Sequence, residues 1–164
     1  FKSYDNTLQI DSVTTRTQKL NKPFAYILSA EGTLNNAITF VNDSLISVSL
    51  DKLIQHYQLE NTSESSQLNY YLDYNYSDYF TFYLNFPSDI EVLGLENGNV
   101  NLKNELGEYL FEITKSKGNQ LKLQSNYIIL KNLILKEKLN ELKLLNEGVK
   151  NVKSKRLIVK LKND

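Results

Sequence analysis

The sequence predicts a mostly β fold: an antiparallel β-sandwich-like domain with one C-terminal α-helix packed on it. Three observations predict this class. From Leu68 to Phe86 (LNYYLDYNYSDYFTFYLNF) the even positions Leu68, Tyr70, Leu72, Tyr74, Phe80, Phe82, Leu84 and Phe86 are large and apolar. The odd positions mix Tyr71, Asp73, Asn75, Tyr79, Thr81, Tyr83 and Asn85, which is the period of two of strands with one buried face. After Pro87, short alternating runs are punctuated by turn residues, the rhythm of a sandwich or barrel. Near the end the period changes: Leu135, Leu139, Leu142, Leu145 and Val149 are spaced by 4, 3, 3 and 4, one apolar stripe on a helix.

Residues 1–22 are polar, stop at Pro23, and are expected to form an N-terminal arm or edge strand ahead of a single β-rich domain over 23–164. Phe24 to Leu28 is a short strand expected to end at a Glu31-Gly32 turn. Ala37 to Val41 and Leu45 to Leu50 form a hairpin through Asn42-Asp43-Ser44, where Asn and Asp favour tight turns. Leu50, Leu53, Ile54 and Tyr57 fall at helical spacing after Ser49, so a short helix with a Ser49 N-cap is expected. Asn61 to Gln67 is a polar loop.

The break at Tyr76-Ser77-Asp78 marks a turn, making the next stretch an aromatic hairpin closed by Pro87. Ile90 to Leu95 and Val100 to Leu102 read as a hairpin through the Asn97-Gly98 signal. Glu105-Leu106-Gly107 turns next, Glu108 to Thr114 alternates, Lys117-Gly118-Asn119 turns, and Leu121 to Leu130 alternates again. The helix follows, with Gly148 as its expected stop, and Arg156 to Lys162 closes the fold as a strand.

Composition excludes several function classes. Lys+Arg and Asp+Glu balance at 19 each, so no basic surplus is available to neutralise a nucleic acid backbone. The chain has no Cys, which removes disulfides, thiol nucleophiles and most zinc sites. No apolar run is long enough to span a membrane. A chain without Met that starts at Phe1 points to an N-terminus made by processing or by design of the expressed segment, with room for a signal peptide ahead of it.

No catalytic, cofactor or metal site is expected. His56 is the single histidine; it is expected on the exposed side of the short helix, away from any nucleophile, and one imidazole cannot fill a coordination sphere. Asp73, Asp78, Glu60 and Glu64 read as solvated residues of turns and loops, not as carboxylates with raised pKa. The candidate interaction patch is Tyr71, Tyr79 and Tyr83, on the less apolar face of the aromatic hairpin. Planar rings on a sheet face serve sugar stacking and protein hot spots alike. A glycan- or peptide-binding module is therefore one reading, lowered for glycans by the absence of Trp.

Three pieces together resemble the C-terminal β domain, a domain of unknown function, of bacterial transglutaminase-like exported proteins. They are NYYLDYNYSDYFTFYLNFPSDIEVLGL, VNLKNELGEYLFEITKSKGNQLKLQSNYIILKNLI and KEKLNELKLLNEGVKNVKSKRLIVKLK. The likeness runs from Leu68 to Leu161; Lys138 or Leu139 stands where the family tends to place a Tyr at the start of the final helix. The resemblance implies a periplasmic or extracellular, non-catalytic accessory module that docks a neighbouring domain or a protein partner. The catalytic Cys-His-Asp belongs to the family's separate core domain, and no residue here takes over those roles.

Overall fold

The structure, a computed structural model, describes residues 8–19, 25–54, 56, 68–73, 75–93 and 98–162. The expected polar loop over Asn61 to Gln67, Phe24, Tyr57, Tyr74 and the Asn97 half of the Asn-Gly turn lie outside them. The chain divides into two compact units, Phe1–Ala37 and Ile38–Asp164.

The first unit is a long antiparallel hairpin, β1 (Leu8–Lys19) against β2 (Ala25–Leu34). The expected Glu31-Gly32 turn is not formed, because both residues lie inside β2. They face a bulge in β1 between Ile10 and Ser12. A side chain at Gly32 would collide with the Gln9 carbonyl oxygen, so this glycine permits close strand approach instead of chain reversal.

The second unit is mostly β, with several antiparallel sheets and the one helix. Its strands are β3 (Ile38–Phe40), β4 (Leu45–Ser49), β5 (Tyr70–Tyr71), β6 (Tyr76–Asn85), β7 (Ile90–Leu93), β8 (Val100–Lys103), β9 (Gly107–Lys117), β10 (Gln120–Ile129), β11 (Leu133–Ile134) and β12 (Arg156–Leu161). They build one sheet of order β6-β10-β9-β8, a second of order β3-β4-β12-β7, and the small pair β11-β5. The helix α1 (Leu139–Lys153) follows a 3-10 turn at Lys136–Lys138.

Both four-stranded sheets and α1 contribute to one core: Ile46 and Val48 of β4, Ile90, Val159, Phe111, Leu121, Leu123 and Val149 belong to the same cluster. β9 buries Tyr109, Phe111 and Ile113, and β10 buries Leu121, Leu123, Tyr127 and Ile129, each at every second residue as an inward-facing strand requires. The chain changes sheets at Pro87. There Phe86 N–H donates to the Asn119 carbonyl (2.9 Å) and Ile90 N–H to the Gly118 carbonyl (3.0 Å), tying the crossover to the β9–β10 turn.

Several expectations are corrected. Leu68 to Phe86 is not a hairpin: β5 pairs with β11, β6 pairs with β10, and Tyr76-Ser77-Asp78 lies within β6. β7 and β8 are not a hairpin either, since β7 joins β12 and β8 joins β9. Local turn signals cannot reveal which sheet a strand joins when both neighbours offer apolar faces. Ser49 does not cap a helix with its side chain; it precedes a 3-10 turn (Leu50–Lys52) and its hydroxyl bonds Asp51.

Gly148 does not stop α1, which runs on to Lys153, and Gly148 is buried with Leu142, Leu145, Val149 and Val152 on the helix's inner side. A Cβ there would collide with Leu102 and sit 3.1 Å from Tyr109 Cδ1, so glycine lets the helix lie against β8 and β9. Leu135 precedes the helix and is exposed, leaving the stripe to the half-buried Leu139 and to Leu142, Leu145, Val149 and Val152.

Candidate functional site

Two places on the second unit concentrate chemistry, and both are organised by β6. The strand alternates strictly, its odd residues exposed and its even residues half-buried. Tyr79 and Tyr83 are 61% and 56% exposed. They share one face of one strand, with Thr81 between them, roughly 13 Å apart along the chain at the usual strand rise. Their cross-strand partners on β10 are Asn126 and Lys122, and Gln124 faces Thr81. The outward face therefore carries two phenol rings on a polar field. Tyr71 is also exposed, at 66%, but it belongs to β5 in a different sheet. Of the three tyrosines expected to form one patch, Tyr79 and Tyr83 share a face of β6, and Tyr71 is carried by β5.

The other face of β6 carries a buried polar relay. His56 is 4% exposed, contrary to its expected place on a solvated helix face. Its Nδ1 lies 2.9 Å from Asp78 Oδ2 and its Nε2 lies 2.7 Å from Ser125 Oγ. Tyr76 donates its hydroxyl to the same Asp78 oxygen at 3.0 Å, and Ser125 Oγ is 3.4 Å from the Tyr109 hydroxyl. The imidazole is packed among Phe80, Tyr109 and Tyr127, with ring centroids 4.8, 5.9 and 5.9 Å away.

Burial in this aromatic box pushes the His56 pKa below its ordinary value, against the opposing pull of Asp78. A neutral imidazole facing a carboxylate, which can only accept, carries its hydrogen on Nδ1. Nε2 is then the acceptor for the Ser125 hydroxyl. Burial likewise raises the Tyr109 phenol to about 12, which keeps it a neutral hydroxyl. Tyr127, also raised by burial, hydrogen-bonds Asn146 of α1 at 2.6 Å, so the polar interior ties helix to sheet. Among the described residues no buried side-chain nitrogen or oxygen lacks a partner.

Asp78, His56 and Ser125 stand in the order of a Ser-His-Asp triad, with matching hydrogen bonds. Access differs. A triad serine must reach a substrate carbonyl at about 3 Å, whereas Ser125 is 1% exposed and its hydroxyl is enclosed by His56 and Tyr109. The arrangement can fix a neutral histidine, satisfy the buried Ser125 and Tyr109, and engage the part-buried Asp78 and Tyr76. No group of three or more His, Cys, Asp or Glu side chains able to hold a metal occurs among the described residues.

Sequence reasoning missed this relay, although signals for two of its members were present. Ser125 occupies a core-facing register position between Leu123 and Tyr127, and Asp78 occupies one between Tyr76 and Phe80. Polar residues at such positions need buried partners; assigning Asp78 to a turn hid its register.

No curated protein and no solved structure matches the chain. Residues 42–159 match a family described as a "Domain of Unknown Function with solved-structure structure (DUF3858)". That span takes in the second four-stranded sheet's core, β6, the buried relay and α1. The chain belongs to the DUF3858 family.

Proposed function

We propose that this domain is a non-catalytic interaction module of a larger, exported transglutaminase-like protein, and that it docks a neighbouring domain of the same polypeptide through the outward face of β6. The observation that carries the reading is the exposure of Tyr79 and Tyr83 on a sheet face where their cross-strand partners, Asn126 and Lys122, are polar. Tyrosine supplies large contact area at small entropy cost and is enriched among interface hot spots. The three-piece resemblance to the C-terminal domain of such proteins supports the identity of the neighbour. The enclosure of Ser125 supports the non-catalytic part, since the triad-like arrangement found among the described residues has no open nucleophile.

The test is a binding titration between this chain and the transglutaminase-like domain encoded with it. Tyr79→Ala with Tyr83→Ala leaves the urea midpoint in place and weakens binding about tenfold or more, the range of an aromatic hot spot. Unchanged affinity overturns the docking face. Unfolding of the double variant as severe as that of Phe82→Ala overturns the exposed-face assignment on which it rests.

A further inference from the structure

β6 is an edge strand. It pairs with β10 on one side, and no strand of the described residues pairs with the other. Phe86 N–H donates to the carbonyl of Asn119, its opposite residue, which sets the alternation of the ladder. Even residues of β6 exchange hydrogen bonds with β10, and the backbone groups of Ser77, Tyr79, Thr81, Tyr83 and Asn85 point to the open edge.

Open edges of this length are usually guarded by outward charge or proline. The opposite edge of the same sheet follows that rule: β8 is four residues long and ends in Lys103. β6 is ten residues long and has no charge among its outward side chains. Its one acid, Asp78, turns inward and is engaged by His56 and Tyr76.

The strand is also a near-palindrome about Thr81. Reading outward from Thr81, Phe80 matches Phe82 and Tyr79 matches Tyr83; Ser77 and Asn85 are both polar, and Tyr76 and Phe86 both aromatic. Only Asp78 and Leu84 differ in kind. A sequence that reads alike in both directions is what antiparallel pairing with itself requires, because a two-fold interface sets each residue against its mirror position.

We infer that the open edge of β6 pairs with β6 of a second copy of this chain, antiparallel about a two-fold axis at Thr81, making one continuous eight-stranded sheet. In that register Thr81 faces Thr81 of the second copy, and Tyr79 faces Tyr83. On the inner side Phe80 faces Phe82. These two rings are half-buried, packed nearly parallel with centroids 5.9 Å apart, and the second copy completes their cover. Aromatic cross-strand pairs of this kind stabilise sheets. The balanced formal charge of the chain opposes no such association. The pairing is made through the backbone edge of β6, with Tyr79 and Tyr83 adding cross-strand contact, and its test at Thr81 is separate from the docking test at the two tyrosines.

Sedimentation velocity of the purified 164-residue chain over rising concentration tests the pairing. The wild type shows a concentration-dependent dimer. Thr81→Lys and Thr81→Asp, at an exposed position, each keep the urea midpoint measured at concentrations where the wild type is monomeric, and raise the dimer dissociation constant about tenfold or more, because like charges meet at the axis. An equimolar mixture of the two variants restores the dimer, since only residue 81 faces its own counterpart. A wild type that stays monomeric throughout overturns the inference. So does a dimer indifferent to both substitutions, or a mixture that remains monomeric.

Discussion

Ser125→Ala removes one oxygen from the core and disturbs two neighbours at once. In the native chain Ser125 Oγ meets His56 Nε2 at 2.7 Å and the Tyr109 hydroxyl at 3.4 Å. The deleted volume is too small for the surrounding rings to collapse onto, and both partners stay buried. Leaving a buried polar group unsatisfied costs about 1–3 kcal/mol. The short contact to His56 carries most of that and the long one to Tyr109 less, so the total is about 2–4 kcal/mol. Ser77→Ala, on the exposed side of β6, is the control and falls within about 0.5 kcal/mol. Urea unfolding followed by circular dichroism reads both as midpoint shifts at unchanged slope. In a His56→Phe background the same substitution costs about 1 kcal/mol less or better, because one orphaned partner is already gone. A loss below about 0.5 kcal/mol for Ser125→Ala in the wild type, or full additivity with His56→Phe, refutes the relay as a stabilising unit.

Further outcomes follow from the same geometry. His56 has a folded pKa below its usual 6.5, so the unfolded chain takes up the proton first as pH falls. Stability is full above about 6.5 and declines below it until the folded pKa is passed; His56→Phe flattens that decline, and an equal decline in both chains shows that other groups cause it. Leu142→Ala, at a fully buried position of α1, costs about 2–5 kcal/mol, and a urea titration showing a loss below about 0.5 kcal/mol makes the helix peripheral. Gly148→Ala gains about 1 kcal/mol of helix propensity but drives a methyl into Leu102 and Tyr109. Overpacking of about 1–3 kcal/mol outweighs the gain, and a raised melting temperature contradicts the close approach of α1 to β8. Activated-ester turnover by the purified chain is the same for wild type and Ser125→Ala; a loss of turnover in the variant means that the enclosed serine opens to substrate.

What the sequence by itself determined was periodicity. The alternation over 79–86, 108–114 and 121–130, the helical stripe through Leu142, Leu145 and Val149, and the turn at Asn42 were all legible. Each is set by neighbours a few residues apart, through the strand repeat, the helix repeat and the Asn42 side chain accepting from Ser44 and Leu45. The exposure of Tyr79 and Tyr83 followed from the same alternation. Pairing was decided only by the tertiary structure. Tyr76-Ser77-Asp78 has the composition of a turn yet extends as β6, because β10 offers it ten consecutive partners. β7 and β8, which precede and follow the Asn-Gly signal in sequence, pair with β12 and β9 and not with each other, and Gly148 continues a helix because Leu102 and Tyr109 need the space of its missing side chain. The relay was least legible: His56 meets Ser125 across 69 positions and Asp78 across 22. A polar side chain's burial depends on a partner that only the folded chain brings within hydrogen-bonding distance, and no local period encodes that meeting.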